Sequence, residues 1–231
     1  MRKNIVIDKN WSIENTKYGK FKASVPGDIT NDLFLAGRIQ DPLFGVNFKD
    51  SRWVLEAPWD YFVSFCVDEP DLGFPYAELI FNGIDTFSEV FLNGEKLGET
   101  DSMYVPFMFN VKDKLKIGEN LLTVKMKSPY DVYNSKPNEK YMSIFHPNRI
   151  FFRNPACHFM WDWAPDFPGY GIYRPVEISF FDDDEIIGTE ITTDISGNAN
   201  FITKLNDKFK YKPEGYSLKL SVTKNPDGDF T

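Results

Sequence analysis

Cysteine and histidine are scarce in this chain, two of each in 231 residues. Cys66 and Cys157 cannot build a disulfide framework, and two free thiols in a reducing cytoplasm are the simplest reading, so a cytoplasmic location is expected. The cysteines lack CxxC spacing and the histidines, His146 and His158, lack HxxxH spacing, so neither a metal site nor a cofactor is expected. No apolar run approaches the length that spans a bilayer. The opening MRKNIVIDKN lacks the apolar stretch of a secretory signal, and no membrane partner is expected. Basic excess is missing as well. With a net charge of -8 there is no cationic stripe to displace counterions from a phosphate backbone, which argues against nucleic acid. Gly83, Gly94 and Gly98 fall in hairpin patterns rather than ahead of a helix, so no phosphate-binding loop is present.

What the chain has is apolar and aromatic material: 42% hydrophobic residues and 16% aromatic ones, ample for a core. Period-two alternation marks short strands around Ile5 and Ile7, around Trp11 and Ile13, and over 59–67, 77–81, 88–92, 95–98, 103–111 and 120–126. Asn93-Gly94 is the strongest hairpin signal, because a type I′ turn needs positive φ at both central residues. One helix is expected over 29–36, with Asp28 as N-cap and Gly37 just past its end. Strands at this spacing, turned by Gly, Asn and Pro, predict an all-β sandwich of jelly-roll type. The acidic run after Phe181 reads as a solvated boundary. Two domains are therefore expected, 1–182 and 183–231. Strands over 186–193, 199–205 and 217–223 would begin a second sandwich, and an immunoglobulin-like fold of about 100 residues could not be completed there.

The densest chemistry lies in CHFMWDWAP, residues 157–165. Trp161 and Trp163 carry large apolar faces and Asp162 lies between them. A flat π face and a carboxylate suit the C–H side and the hydroxyls of a pyranose. The same cluster also reads as a buried Trp pair with Asp162 tying down a loop. Cys157 and His158 are neighbours; in an extended segment they would point to opposite faces and could not form a dyad. Residues 128–149, rich in Pro, Asn and Ser, read as a long excursion, with Tyr141, Phe145 and His146 as candidate wall residues of a ligand site. Asp85 and Glu89 read as turn and solvent-face acids of a hairpin.

With FFR ahead of it and GIYRPVEI behind, CHFMWDWAP resembles the matching segment of β-mannosidases of glycoside hydrolase family 2. Residues 23–47, ASVPGDITNDLFLAGRIQDPLFGVN, resemble the opening of the same enzymes. FNGIDTFSEVFLNGEKLG, residues 81–98, resembles the pattern shared by N-terminal domains across the family. Met160 and Ala164 stand where that family usually has Gly. The resemblance implies a galactose-binding-like jelly roll, then an immunoglobulin-like sandwich, then a catalytic (β/α)8 barrel that residues 1–231 do not include. It also implies that Trp161 and Asp162 contact a terminal sugar. Both catalytic glutamates of a retaining glycosidase would lie on the barrel, so no catalytic residue and no hydrolysis are expected from these residues alone.

Two function classes fit. One is the N-terminal, non-catalytic portion of a β-mannosidase-like exo-glycosidase, whose partners are a β-mannoside or related oligosaccharide and the downstream barrel; exo-β-glucosaminidase is a neighbouring specificity. The other is a stand-alone carbohydrate-binding sandwich.

Overall fold

The computed structural model describes residues 2–136, 147–182, 186–205 and 219–221. The chain divides into two compact units, Met1–Asp182 and Asp183–Thr231. In the first, the described strands all pair antiparallel, in two sheets. The larger runs β3 (Gly19–Lys22), β2 (Ser12–Asn15), β4 (Trp59–Val67), β9 (Gly118–Met126), β6 (Phe87–Leu92), β7 (Glu95–Asp101). The smaller runs β1 (Arg2–Val6), β10 (Val176–Phe181), β5 (Tyr76–Phe81), β8 (Phe107–Asn110).

Alternation explains which face is buried. Trp59, Tyr61, Val63 and Val67 of β4 join Leu122, Val124 and Met126 of β9, and Ala77, Leu79 and Phe81 of β5 join Val176, Ile178 and Phe180 of β10, in one core. Each of the Val, Leu, Ile, Phe and Met side chains among them contributes about 1.5–3 kcal/mol on leaving water. The buried indoles keep their N–H groups satisfied: Trp11 donates to the carbonyl of Ile7 at 2.8 Å and Trp59 to that of Val54 at 3.1 Å. The all-β sandwich expected from the sequence is the fold observed.

The helix forms at Ile29–Leu35, with Asp28 Oδ1 accepting from the N–H groups of Thr30 and Asn31. At its end the N–H of Gly37 donates to Phe34 and that of Arg38 to Leu33, a Schellman closure made possible by Gly37 at φ 67. The Asn93-Gly94 turn joins β6 to β7, with φ 53 and 86.

Several expectations are corrected. The strand expected over 103–111 is confined to Phe107–Asn110, while the one expected over 120–126 begins earlier, at Gly118. The edge strand Gly19–Lys22 was not expected, because its mostly exposed residues alternate too weakly. The excursion after Lys127 starts with a helix, Pro129–Asn134, capped by the Ser128 side chain; Ser at N-cap followed by Pro at N1 is a start signal. Tyr141, Phe145 and His146 lie outside the described residues, as does most of the strand expected over 217–223.

In the second unit β11 (Ile186–Thr193) and β12 (Ala199–Leu205) form an antiparallel pair.

Candidate functional site

Between the helix Pro129–Asn134 and β10 the chain builds a projecting hairpin. Phe159 and Asp166 pair at its base, and the N–H of Phe167 donates to the carbonyl of His158 at 3.1 Å. Higher up, the Trp161 N–H donates to the Ala164 carbonyl at 2.9 Å and the Ala164 N–H returns to Trp161 at 3.4 Å. Asp162 and Trp163 therefore occupy the two tip positions. Met160, entering the turn, sits at φ 71.

The tip faces solvent. Trp163 is 71% exposed and Trp161 36%, and Asp162 is exposed as well, so the reading of a buried Trp pair is overturned. The hairpin holds its tip out because Phe159 at its root is fully buried. Phe159 packs edge-on against Phe152 at 4.7 Å and stacks on Tyr133 at 5.4 Å, while Phe152 meets Phe87 of β6 at 5.1 Å. The Arg149 guanidinium lies 4.9 Å from the Trp161 ring centre, a cation–π contact that restrains the indole.

One side of the hairpin borders an open groove of about 680 Å³, whose walls include Phe48, Arg52, Met160, Trp161 and Asp166. That volume lies within the range of small-molecule sites, ~300–1,000 Å³. The Asp166 carboxylate accepts from the Tyr130 hydroxyl at 2.7 Å and from Arg52 Nη1 at 3.3 Å. The guanidinium of Arg52 also lies over the Tyr130 ring at 4.1 Å. Burial, reinforced by the bond to Asp166, holds the Tyr130 hydroxyl well above the usual phenol range, so it remains a donor at neutral pH.

Beneath the hairpin Asp85 is only 4% exposed, which corrects its reading as a solvent-face acid. Its Oδ1 accepts from Asn154 at 3.3 Å and from the Thr86 hydroxyl, and its backbone pairs in both directions with Gly171. Glu89 keeps its surface role, pairing with Lys96 at 2.7 Å. Cys157 and His158 occupy a single 3-10 turn, Ala156–His158, instead of an extended segment. His158 Nδ1 accepts from the Gly169 N–H at 3.3 Å and lies 3.4 Å from Asp85 Oδ2. Gly169 leaves room for both, since a Cβ there would meet Asp85 Oδ2 at 2.7 Å and His158 Cε1 at 3.1 Å and force one of them to shift.

The structure thus puts Trp161 and Asp162 together on an exposed tip. Sequence reasoning missed Arg52, Tyr130, Arg149 and Asp166 around them. Tyr130 had a signal in the Ser-Pro helix start; Arg52 and Asp166, 114 positions apart, had none.

The glycosyl hydrolase 2 galactose-binding domain-like family matches residues 11–174. A probable β-mannosidase of Caenorhabditis elegans is 32% identical over 191 residues, spanning 74% of this chain and 21% of that protein. The β-mannosidase of Capra hircus is 30% identical and spans 77% of this chain and 22% of its own length. The present chain thus spans about a fifth of these relatives. Among solved structures, the β-D-mannosidase of Dictyoglomus thermophilum superposes with a TM-score of 0.77 at 34% identity, over 88% of this chain and 26% of that one. A β-glucuronidase from an uncultured Clostridium species superposes with a TM-score of 0.57 at 19% identity, over 90% of this chain and 34% of that one, a likeness of fold alone. With more than half of its residues matched, and with relatives of this similarity, the chain belongs to the glycosyl hydrolase 2 galactose-binding domain-like family.

Proposed function

We propose that this chain is the non-catalytic, sugar-contacting portion of a β-mannosidase-like retaining exo-glycosidase. A (β/α)8 barrel of the same polypeptide would supply both catalytic carboxylates, and residues 183–231 would begin the immunoglobulin-like sandwich between them. The single observation that carries the reading is the exposed tip: an acid and two indoles presented on a hairpin whose root is buried, in a chain whose similar relatives are β-mannosidases. In this reading Asp162 accepts hydrogen bonds from hydroxyls of the terminal mannose and Trp161 forms a wall of the pocket. Such contacts add to transition-state binding by holding the sugar in place, while bond cleavage belongs to the barrel.

The test expresses the longest reading frame that contains this chain and assays an aryl β-mannoside, with Asp162→Ala alongside. Hydrolysis by the long product is expected, with kcat/KM falling about 10- to 100-fold in the variant while its melting temperature holds. Residues 1–231 alone are expected to be inactive. A long product that prefers a glucosaminide would remove the mannoside assignment, and an unaffected Asp162→Ala would remove the sugar-contact role.

A further inference from the structure

The side chains that hold the hairpin come from two distant parts of the chain. Arg52 opens the 3-10 turn Arg52–Val54, which is pinned from below: the indole N–H of Trp59 in β4 donates to the Val54 carbonyl at 3.1 Å, and Val54 and Leu55 are fully buried. Tyr130 stands in the first turn of Pro129–Asn134. That helix is fixed to the same 3-10 turn by the buried Ser128 hydroxyl, which donates to the Leu55 carbonyl at 2.8 Å. The two donors are thus set side by side on one rigid footing, with the guanidinium over the phenol ring. Both converge on the carboxylate of Asp166, the residue paired with Phe159 at the hairpin base. Asp166 is mostly shielded, its side chain 12% exposed, while that of Arg52 is 43% exposed. The two bonds therefore fix the carboxylate with little solvent competition on its own side.

We propose that Arg52, Tyr130 and Asp166 form a clasp that sets the direction in which the hairpin presents Trp161 and Asp162. They act as positioning residues for sugar recognition. Without the clasp the Phe159 root stays buried, but the Asp166 strand of the hairpin comes away from its footing more often, and the Trp161–Ala164 and Phe167–His158 backbone bonds open with it. The argument for the clasp is geometric; its consequence for turnover rests on the proposed sugar-contact role of Asp162.

Two measurements test it, with Tyr130→Phe and Arg52→Met as variants; the first keeps the ring that packs at 6.5 Å from Phe159. In the 231-residue chain, amide hydrogen exchange at Trp161 and Phe167 is expected to quicken at least about tenfold, with amides of β4 and β9 unchanged. Unchanged exchange at Trp161 and Phe167 overturns the clasp whatever the activity, and uniformly faster exchange across β4 and β9 overturns it in favour of a general structural role. In the long enzyme, Tyr130→Phe is expected to lower kcat/KM about tenfold on its own and less than about twofold when added to Asp162→Ala, because the clasp works through Asp162. Equal losses in both backgrounds overturn the proposal. If Asp162→Ala costs nothing, the sugar-contact reading fails, and the exchange result by itself decides the clasp.

Discussion

Met160 holds φ 71, a left-handed conformation that costs a side-chain-bearing residue about 1 kcal/mol or more. The resemblance drawn from the sequence puts Gly at this position, and a positive φ is the backbone that Gly adopts without cost. Met160→Gly is expected to raise stability by about 1 kcal/mol, read as a higher denaturation midpoint at constant slope. A lower midpoint would mean that the Met side chain, which walls the groove, contributes more by packing than its backbone costs. Asp32 makes a second prediction at this scale. It is 3% exposed, and burial raises its carboxyl to about 6, helped by the nearby Asp28 charge and opposed by bonds from Ser24. The folded state therefore holds its proton more tightly than the unfolded one. The stability from this group is greatest below the ordinary value of 3.8 and declines as pH rises to about 6, by up to ~3 kcal/mol. Asp32→Asn has no charge to bury and keeps an acceptor for Ser24. Its melting temperature should gain on the parent's between pH 4 and 6.5; parallel curves would show that Asp32 ionises without penalty.

At the scale of elements, the β6–β7 hairpin is expected to be the most sensitive turn. Asn93 adopts φ 53, donates to the Lys114 carbonyl and to Asn120 Oδ1 at 2.9 Å each, and accepts from the Leu121 N–H at 3.1 Å. It therefore fastens the turn to β9 as well as making it. Asn93→Ala should cost roughly 2–3 kcal/mol, and Gly94→Ala about 1 kcal/mol, by chemical denaturation. Similar costs for the two would show that the side-chain bonds add nothing. This hairpin was legible because its chemistry is local: two adjacent residues decide the backbone. The strands were legible for a similar reason, since one-sided burial forces alternation, and Trp59–Val67 displays it over nine residues. The site was legible only in part. Trp161 and Asp162 were visible as residue types that suit a sugar, but their exposure depends on Phe152, Phe159 and Tyr133 burying the hairpin root. Nothing in the neighbourhood of Asp85 announces its burial, which comes from Asn154, His158 and Gly171 folding back over it. Edge strand Gly19–Lys22 escaped notice because an edge with little to bury needs no pattern.

For the whole molecule, the division at Asp182 makes a testable claim about autonomy. The first unit contains both sheets of the sandwich. Among the described residues of the second unit, β11 and β12 form a pair with Ile186, Ile191 and Ile202 exposed, and a two-stranded pair is marginal on its own in water. A chain ending at Asp182 should keep the melting temperature of the first unit within a few degrees, and limited proteolysis followed by mass spectrometry should leave a core ending close to that residue. Early cuts within β5 or β6 would contradict it.

β10 gives the sandwich an unusual timetable. It is the last strand of the first unit, yet it lies between β1 and β5 and pairs with both along its length. On a ribosome, therefore, β1 and β5 emerge long before the strand that joins them. The smaller sheet stays split until Phe181 has cleared the exit tunnel, and a nascent chain paused earlier carries two sheet edges with no strand between them. During synthesis those edges, rather than the exposed aromatic tip, are the surfaces that a chaperone would have to shield.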